Sequence, residues 1–458
     1  MIHGEDLNIS QGGVSRISEE AQLVINEKSP SGGAMQQPAL NEDLLQWVLS
    51  PENLQAAWKQ VKRNKGAPGV DGISIEEYPQ WAEQHWSATR RALERGYYIP
   101  QPVKRVEIPK PSGGSRLLGI PSVNDRVIQQ AIAQVLNLLI DPTFSDNSHG
   151  FRPGRNAHGA VRQIQGYIAE GYKVAVDVDL SKFFDRVDHD ILMSRLSRHV
   201  QDKRLLKLIG RYLRAGVVID GELHPTPEGV PQGGPLSPLL ANVVLDDLDK
   251  RLESRKLRFA RYADDFTICV KSTSAGRRVM DWLKRYLSTE LKLVVNEEKS
   301  KVVKTNDLHF LGFTFRGKKI RWSDKALEDF KHNIRRLTKR SWGISMQRRY
   351  RELGLYIRGW INYYGLSEYY RPLPGLDEWI RRRIRMCYLK QWRKPRTRIR
   401  NLIRLGVRVR TAVHLGLSSK GPYRLARTLA TQSGMTNKWL EEQGLVSVRE
   451  LWIKFHYA

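Results

Sequence analysis

The segment Arg258–Lys271 (RFARYADDFTICVK) sets two adjacent aspartates at the tip of an otherwise apolar β-hairpin. Phe259, Tyr262, Phe266, Ile268 and Val270 are apolar or β-prone and mark its flanks as strands. Two neighbouring carboxylates at such a tip repel each other unless a cation lies between them. Asp264 and Asp265 are therefore candidate metal ligands. A lone Asp-Asp pair is usually a solvated turn, so the reading needs a third acid in an equally apolar setting. Lys173–Leu180 supplies one. It alternates as a strand, with Val174, Val176 and Val178 on one face and Ala175, Asp177 and Asp179 on the other. Alternation alone does not separate Asp177 from Asp179. Asp179 precedes Asp264 by 85 residues, so only folding brings them together.

Carboxylate donors with no His or Cys nearby favour Mg²⁺ over zinc. Nucleotidyl transfer uses such a set. One ion activates an attacking 3′-hydroxyl, and a second neutralises the triphosphate and the departing pyrophosphate. The remaining catalysis is positioning and electrostatics.

Charge points to the same class of partner. The 458 residues predict two to four domains, and 40% hydrophobic content suffices for a sizeable core. Lys and Arg number 76 against 48 Asp and Glu, a formal net charge of +28. Between Lys331 and Arg410 there are 23 basic and 4 acidic residues, a net of +19. Trp342, Tyr350, Tyr356, Trp360, Tyr363, Tyr364, Trp379, Tyr388 and Trp392 interleave them, some as core. A polyanion, nucleic acid, fits this balance through counterion release. A membrane partner is not expected, because no apolar run approaches spanning length and no lipidation motif is seen. Only Cys269 and Cys387 are present, without a CxxC pair, which argues against zinc and fits a reducing interior. The start, MIHGEDLNIS, lacks the features of a secretory signal.

Along the chain, residues 1–38 show no sustained apolar periodicity and read as a flexible extension. Helical spacing begins at Leu44 and continues through Val61. NKGAPGVDG at 64–72 is a turn-rich loop. Helices are predicted over Asp125–Ile140, from the end of the Lys173–Leu180 strand to about His199, and over Leu239–Leu252. Leu308–Phe315 and Lys318–Trp322 read as a second short hairpin. After Ser323 the chain reads as helical and basic.

The motifs and their order resemble those of the reverse transcriptases and maturases encoded by bacterial group II introns. The closest likeness is to the compact, group IIC-like class without an HNH endonuclease domain. The resemblance runs from about Leu40 to the C-terminus. NKGAPGVDG (64–72), VKRVEIPKPSGGSRLLGIPSVNDRVIQQA (103–131) and HGFRPGRNAH (149–158) come first. VDLSKFFDRVDHD (178–190) resembles polymerase motif A and selects Asp179 over Asp177. PQGGPLSPLLANVVLDDLD (231–249) resembles motif B, YADD (262–265) motif C and LVVNEEKSK (293–301) motif D. FLGFTF (310–315) resembles the primer grip, and GWINYYG (359–365) and WRKPRTRIRNLIRLGV (392–407) the thumb and adjoining DNA-binding region.

The resemblance implies an α+β right-hand polymerase. Residues 39–322 would form fingers and an antiparallel-sheet palm. The fingers would take about 40–170 and 205–225, and the palm 171–204 and 226–322. A helical thumb or maturase (X) domain would follow at 323–400 and a basic helical DNA-binding module at 401–458. It implies an RNA-directed DNA polymerase using two Mg²⁺ ions, with Mn²⁺ as a substitute, held by Asp179, Asp264 and Asp265. Lys110 and Arg126 would hold the dNTP triphosphate. Phe184 would pack under the sugar and exclude a 2′-hydroxyl, with Phe183 in the core. Gln232 and Gly233 would line the pocket, and Lys299 or Lys301 would protonate the leaving pyrophosphate. Lys104, Arg105, Arg116, Arg152, Arg335, Arg336, Arg381, Arg382, Arg396 and Arg398 would contact nucleic acid. The implied partners are group II intron RNA, an RNA template with its DNA primer, target DNA and dNTPs, with a dimer left open. The implied setting is the bacterial cytoplasm, at the nucleoid when on DNA. No HNH cysteines and histidines are seen, so insertion would need a primer from a nick, single strand or fork. Two alternatives stand beside this: an RNA-binding maturase with a vestigial polymerase, and a domesticated repair enzyme.

Overall fold

Ser50 and Pro51 break the helical pattern that starts at Leu44. The Ser50 hydroxyl accepts from the Asn53 amide, and proline occupies the first turn, where no amide donor is needed. The result is two helices, α1 (Leu44–Val48) and α2 (Pro51–Asn64). The computed structural model describes residues 43–109 and 115–457. The extension at 1–38 and Lys110 lie outside the described residues. The chain divides into two compact units, with the boundary between Val303 and Lys304.

The first unit continues with α3 (Tyr78–Glu94), β1 (Val103–Pro109), β2 (Ser115–Ile120), α4 (Val123–Ile140), α5 (Ala157–Ala169) and β3 (Val174–Val178). It then adds α6 (His189–Leu196), α7 (Lys203–Leu213), β4 (Val217–Ile219), β5 (Glu222–His224) and α8 (Ser237–Ser254). It ends with β6 (Arg258–Tyr262), β7 (Asp265–Val270), α9 (Thr273–Glu290) and β8 (Lys301–Lys304). Two sheets organise it. One runs β2-β1-β4-β5, with β1 and β2 antiparallel and β1 parallel to β4. The other runs β6-β7-β3-β8, with β7 antiparallel to both β6 and β3. Helix α4 is mostly buried, and Val127, Ile128, Ile132 and Leu136 are sealed in the core. The α8 residues Leu239, Leu240, Val243, Val244 and Leu248 and the strand residues Val176, Phe266 and Ile268 belong to the same core. Burial of such side chains is the main favourable term for this unit.

The helix expected directly after β3 does not form at once. Residues 183–185 make a single 3-10 turn, Lys182 is left-handed (φ 49°), and α6 starts only at His189. Asp188 sets that start by accepting from the Ile191 amide at 2.9 Å.

The second unit begins with β9 (His309–Phe310), β10 (Phe313–Arg316) and β11 (Lys319–Trp322), in the order β11-β10-β9. The expected second hairpin is thus three strands, folded back at Leu311 and Gly312, both with positive φ. Helices α10 (Asp324–Leu337), α11 (Met346–Tyr364), α12 (Leu373–Gln391) and α13 (Pro395–Arg404) follow. Helices α14 (Val409–Leu417), α15 (Pro422–Leu425), α16 (Leu429–Gly434), α17 (Asn437–Glu442) and α18 (Val448–Tyr457) complete it. Much of the aromatic content is structural. Trp360 packs against Phe330 (4.5 Å between ring centroids) and Trp322 (5.4 Å), and Tyr350 is buried. Some of the basic excess is structural too. Buried Arg349 donates to the carbonyl of Leu337, the last residue of α10, and to those of Lys339 and Trp342 just beyond it, and Arg385 donates to that of Met435.

Candidate active site

The pairing of β3 with β7 puts Asp177 opposite Thr267 and Val178 opposite Phe266. Continued one step, that register sets Asp179 beside Asp265 at the same end of the sheet. Tyr262 pairs with Asp265, so Ala263 and Asp264 form a two-residue turn, and Ala263 has φ +58°. Such turns favour glycine or asparagine, so alanine here is held against its preference. The three aspartates of the sequence reading are thus gathered at one sheet end, with Asp177 two residues inside on the same strand.

Their electrostatics follow from that crowding. Burial raises the Asp265 carboxyl to about 7, with the charges of Asp177, Asp264 and Asp179 adding to the push. Asp177 rises to about 6 by burial, with Lys301 opposing and Asp179 adding. Burial also raises Asp264, while Arg116 and Arg261 pull it down. Buried acids whose ionisation is opposed by neighbouring carboxylates mark a site that calls for a cation. In kind, the hard oxygen donors fit a divalent cation. Among the described residues, no three His, Cys, Asp or Glu side chains stand grouped for a metal as they are.

Asp179 is tied to the segment after α9. Its amide and carbonyl both bond the Ser300 hydroxyl, and its carbonyl also accepts from the Asn296 amide at 2.8 Å. Lys299 Nζ lies 3.4 Å from Asp179 Oδ2 and is largely exposed. Phe183 is buried, as expected, and Phe184 meets it edge-on at 5.1 Å. The Phe184 carbonyl accepts from Val230, which brings the Gln232–Gly233 segment alongside. Gly233 has φ +120°, and a Cβ there would come within 2.5 Å of the Gly119 carbonyl oxygen. Only glycine lets this backbone touch β2. The Gln232 carbonyl accepts from the Gly119 amide at 2.7 Å.

Arg126 sits under the 64–72 loop and is nearly buried. Its Nη2 donates to the Ala67 carbonyl at 2.8 Å, and its Nε has no partner among the described residues. Of the other basic candidates, Lys104 and Arg116 are exposed on β1 and β2, and Arg105 is half-buried. Arg335, Arg336 and Arg396 are exposed in the second unit. Arg382 stacks on Tyr423 at 3.8 Å, and half-buried Arg398 donates to the Gly416 carbonyl. Arg381 is half-buried. Arg152 is a correction. Its side chain is 3% exposed, pairs with Asp141, and donates to the carbonyls of Ser145, Ser148 and Asp141. With its donors spent inside the fold, it is not free to meet nucleic acid.

Residues outside the sequence expectations support the aspartate turn. Arg261 and Asp249 form a fully buried pair. Gly150 packs on the turn itself. A Cβ there would overlap the Ala263 amide nitrogen and lie 2.8 Å from the Tyr262 carbonyl carbon. Backbone on both sides leaves nothing to yield, so Gly150→Ala should displace the turn. A shift near 1 Å costs about a hundredfold in rate. Steady-state activity beside a thermal melt checks this, and wild-type activity in a folded variant would refute it. A signal for the pair existed in the sequence. Asn242 and Asp249 are seven residues apart on α8, two turns on one face, opposite the strand that carries Arg261.

Comparison with known proteins gives two family matches. Residues 108–315 match the model described as reverse transcriptase (RNA-dependent DNA polymerase). Residues 327–406 match the group II intron, maturase-specific domain. Protein YkfC of Escherichia coli K12 is 32% identical over 317 residues, which span 60% of this chain and 82% of that protein. The group II intron-encoded protein LtrA of Lactococcus lactis is 35% identical over 261 residues, 57% of this chain. That match spans 42% of LtrA, less than half its length. A 91 kDa protein in a cob intron of Schizosaccharomyces pombe is 38% identical over 220 residues, 46% of this chain and 26% of that one.

Proposed function

The chain belongs to the group II intron reverse transcriptase and maturase family, RNA-directed DNA polymerases, and from that premise we propose that it copies its intron RNA into DNA using Asp179, Asp264 and Asp265. The observation that carries the site assignment is the gathering of these three acids at the end of β3 and the β6–β7 turn.

In this reading the three carboxylates hold two Mg²⁺ ions, with Mn²⁺ as a substitute. When bound, the ions neutralise the triphosphate and make the primer 3′-hydroxyl a better nucleophile. The chain's own groups do the rest. Arg126 and Lys110 hold triphosphate oxygens, and the charge of Arg116 reaches the Asp264 carboxyl. Gly233 and Gln232 bring bare backbone to the template–nucleotide pair. Lys299, beside Asp179, donates a proton to the leaving pyrophosphate. Phe184 closes the floor under the sugar. Phe184→Ala should therefore relax discrimination against ribonucleotides by about tenfold or more. The ratio of kcat/KM for dNTP over NTP measures it, and an unchanged ratio removes Phe184 from this role.

The proposed domains are fingers and palm over 39–322, thumb over 323–400 and a DNA-binding module over 401–458, although the two compact units divide earlier, between Val303 and Lys304. Lys104 and Arg105 of the fingers, with Arg335, Arg336, Arg381, Arg382, Arg396 and Arg398, contact intron RNA, template–primer or target DNA through phosphates. Such binding weakens steeply with salt. No helix among the described residues is long and apolar enough to cross a membrane, and the bacterial cytoplasm is the proposed setting.

The test is primer extension by the purified protein on an RNA template with dNTPs, together with splicing of a group II intron precursor. Divalent-dependent cDNA and accelerated splicing support both roles. Splicing without cDNA, across salt and primer designs, would make the chain an RNA-binding maturase with a vestigial polymerase.

A further inference from the structure

Arg261 leads into the aspartate turn, yet its guanidinium is completely buried. Its Nε donates to Asp249 Oδ1 at 2.8 Å and its Nη2 to Asp249 Oδ2 at 2.5 Å. Its Nη1 is shared between Asn242 Oδ1 and the carbonyl of Ala263, both at 2.9 Å. Asn242 extends the chain of bonds, donating from Nδ2 to the Gly150 carbonyl at 2.9 Å. Gly150 in turn packs against the Tyr262–Ala263 peptide. The turn is therefore gripped from both sides: by Nη1 on the Ala263 carbonyl, and by Gly150 on the peptide before it.

A buried ion pair is a weak source of net stability, and an apolar pair of similar size often serves as well. What an apolar pair lacks is a fixed donor for the Ala263 carbonyl. That carbonyl belongs to a left-handed alanine, immediately before Asp264. We propose that Arg261 is a positioning residue for polymerisation, whose Nη1 clamps the Ala263 carbonyl and so fixes how Asp264 and Asp265 present their carboxylates. This rests on the reading of those aspartates as metal ligands. Asp249 orients the guanidinium, and Asn242 ties it to Gly150. Without the clamp the Ala263–Asp264 peptide can rotate, and the two carboxylates lose their shared direction. The chemical step then slows, while dNTP and primer–template binding, made by other residues, persist.

The experiment compares wild type with Asp264→Ala, Arg261→Lys and the double variant Arg261→Met with Asp249→Leu. The double variant replaces the buried pair by apolar groups of similar size and so leaves no charge unpaired in the core. Arg261→Lys keeps a charge against Asp249 but lacks the planar fork that reaches three partners. Thermal melts establish folding, and primer extension gives kcat, the dNTP KM and the Mg²⁺ concentration for half-maximal rate. Both folded variants should lose about tenfold or more in kcat. They should need more Mg²⁺ and keep the dNTP KM within about twofold. A folded Arg261 variant with wild-type kcat and Mg²⁺ requirement overturns the inference. Should the double variant melt below assay temperature, Arg261→Lys decides alone. An active Asp264→Ala enzyme overturns the aspartate assignment and this inference with it. An inactive Asp264→Ala beside a fully active Arg261→Lys overturns this inference only.

Discussion

An Asp264→Ala enzyme is expected to extend a primer on RNA at least about a thousandfold more slowly than wild type, while remaining folded. The size follows from the cation it would help to hold. Metal stabilisation of developing charge is worth several kcal/mol, and each 1.36 kcal/mol is tenfold in rate. The fold should survive because Asp264 lies half-exposed in a turn, among carboxylates that repel one another. Removing one like charge relieves that repulsion, so the melting temperature should be unchanged or slightly higher. Such a trade of stability against activity is common where function needs strained charge. Single-turnover extension and a thermal melt on one preparation check both halves. A variant within tenfold of wild type would exclude Asp264 from the chemistry.

The second large effect concerns stability. Asp249→Ala strips from the buried Arg261 guanidinium its one carboxylate partner among the described residues and leaves a buried charge unpaired. Breaking one side of a buried pair costs about 3–5 kcal/mol, far more than the pair contributes relative to apolar residues. The denaturation midpoint should fall accordingly. The double replacement of Arg261 and Asp249 should recover most of the loss, because no charge is then left behind. A single variant as stable as wild type would mean that water reaches the guanidinium.

The contrast between these sites explains what was legible in the sequence. Helices α4 and α8 and the β6–β7 hairpin were readable because each carries a long apolar period and is buried as one piece. The β1–β2 hairpin was not. Its exposed positions, Lys104, Glu107, Arg116 and Leu117, fall on both faces, so no clean alternation marks it as strand. The stretch 181–188 misled for another reason. Phe183 and Phe184 look like the start of an amphipathic helix, but left-handed Lys182 and the Asp188 cap delay it to His189.

At the site, Asp264 and Asp265 drew notice because adjacent charges in an apolar hairpin are anomalous, whereas Asp179 was separated from Asp177 only by the likeness to motif A. Arg261 lies in the same hairpin segment, Arg258–Lys271. Its meaning depends on Asp249, twelve residues earlier on another element, and on a Gly150 contact formed only by the fold. Arg152 shows the converse. In sequence it is one more cation in a basic chain, and only its carbonyl partners mark it as structural. Buried cations and surface cations look alike until their donors are counted.

The central claim is that Asp179, Asp264 and Asp265 together hold the divalent cations of polymerisation. Its most direct test is Mn²⁺ binding, read by electron paramagnetic resonance, in a complex stalled with a dideoxy-terminated primer, RNA template and dNTP. Wild type should bind two Mn²⁺ ions, and Asp179→Asn and Asp264→Asn should each lose at least one or bind it far more weakly. Equal stoichiometry and affinity in wild type and both variants would contradict the account.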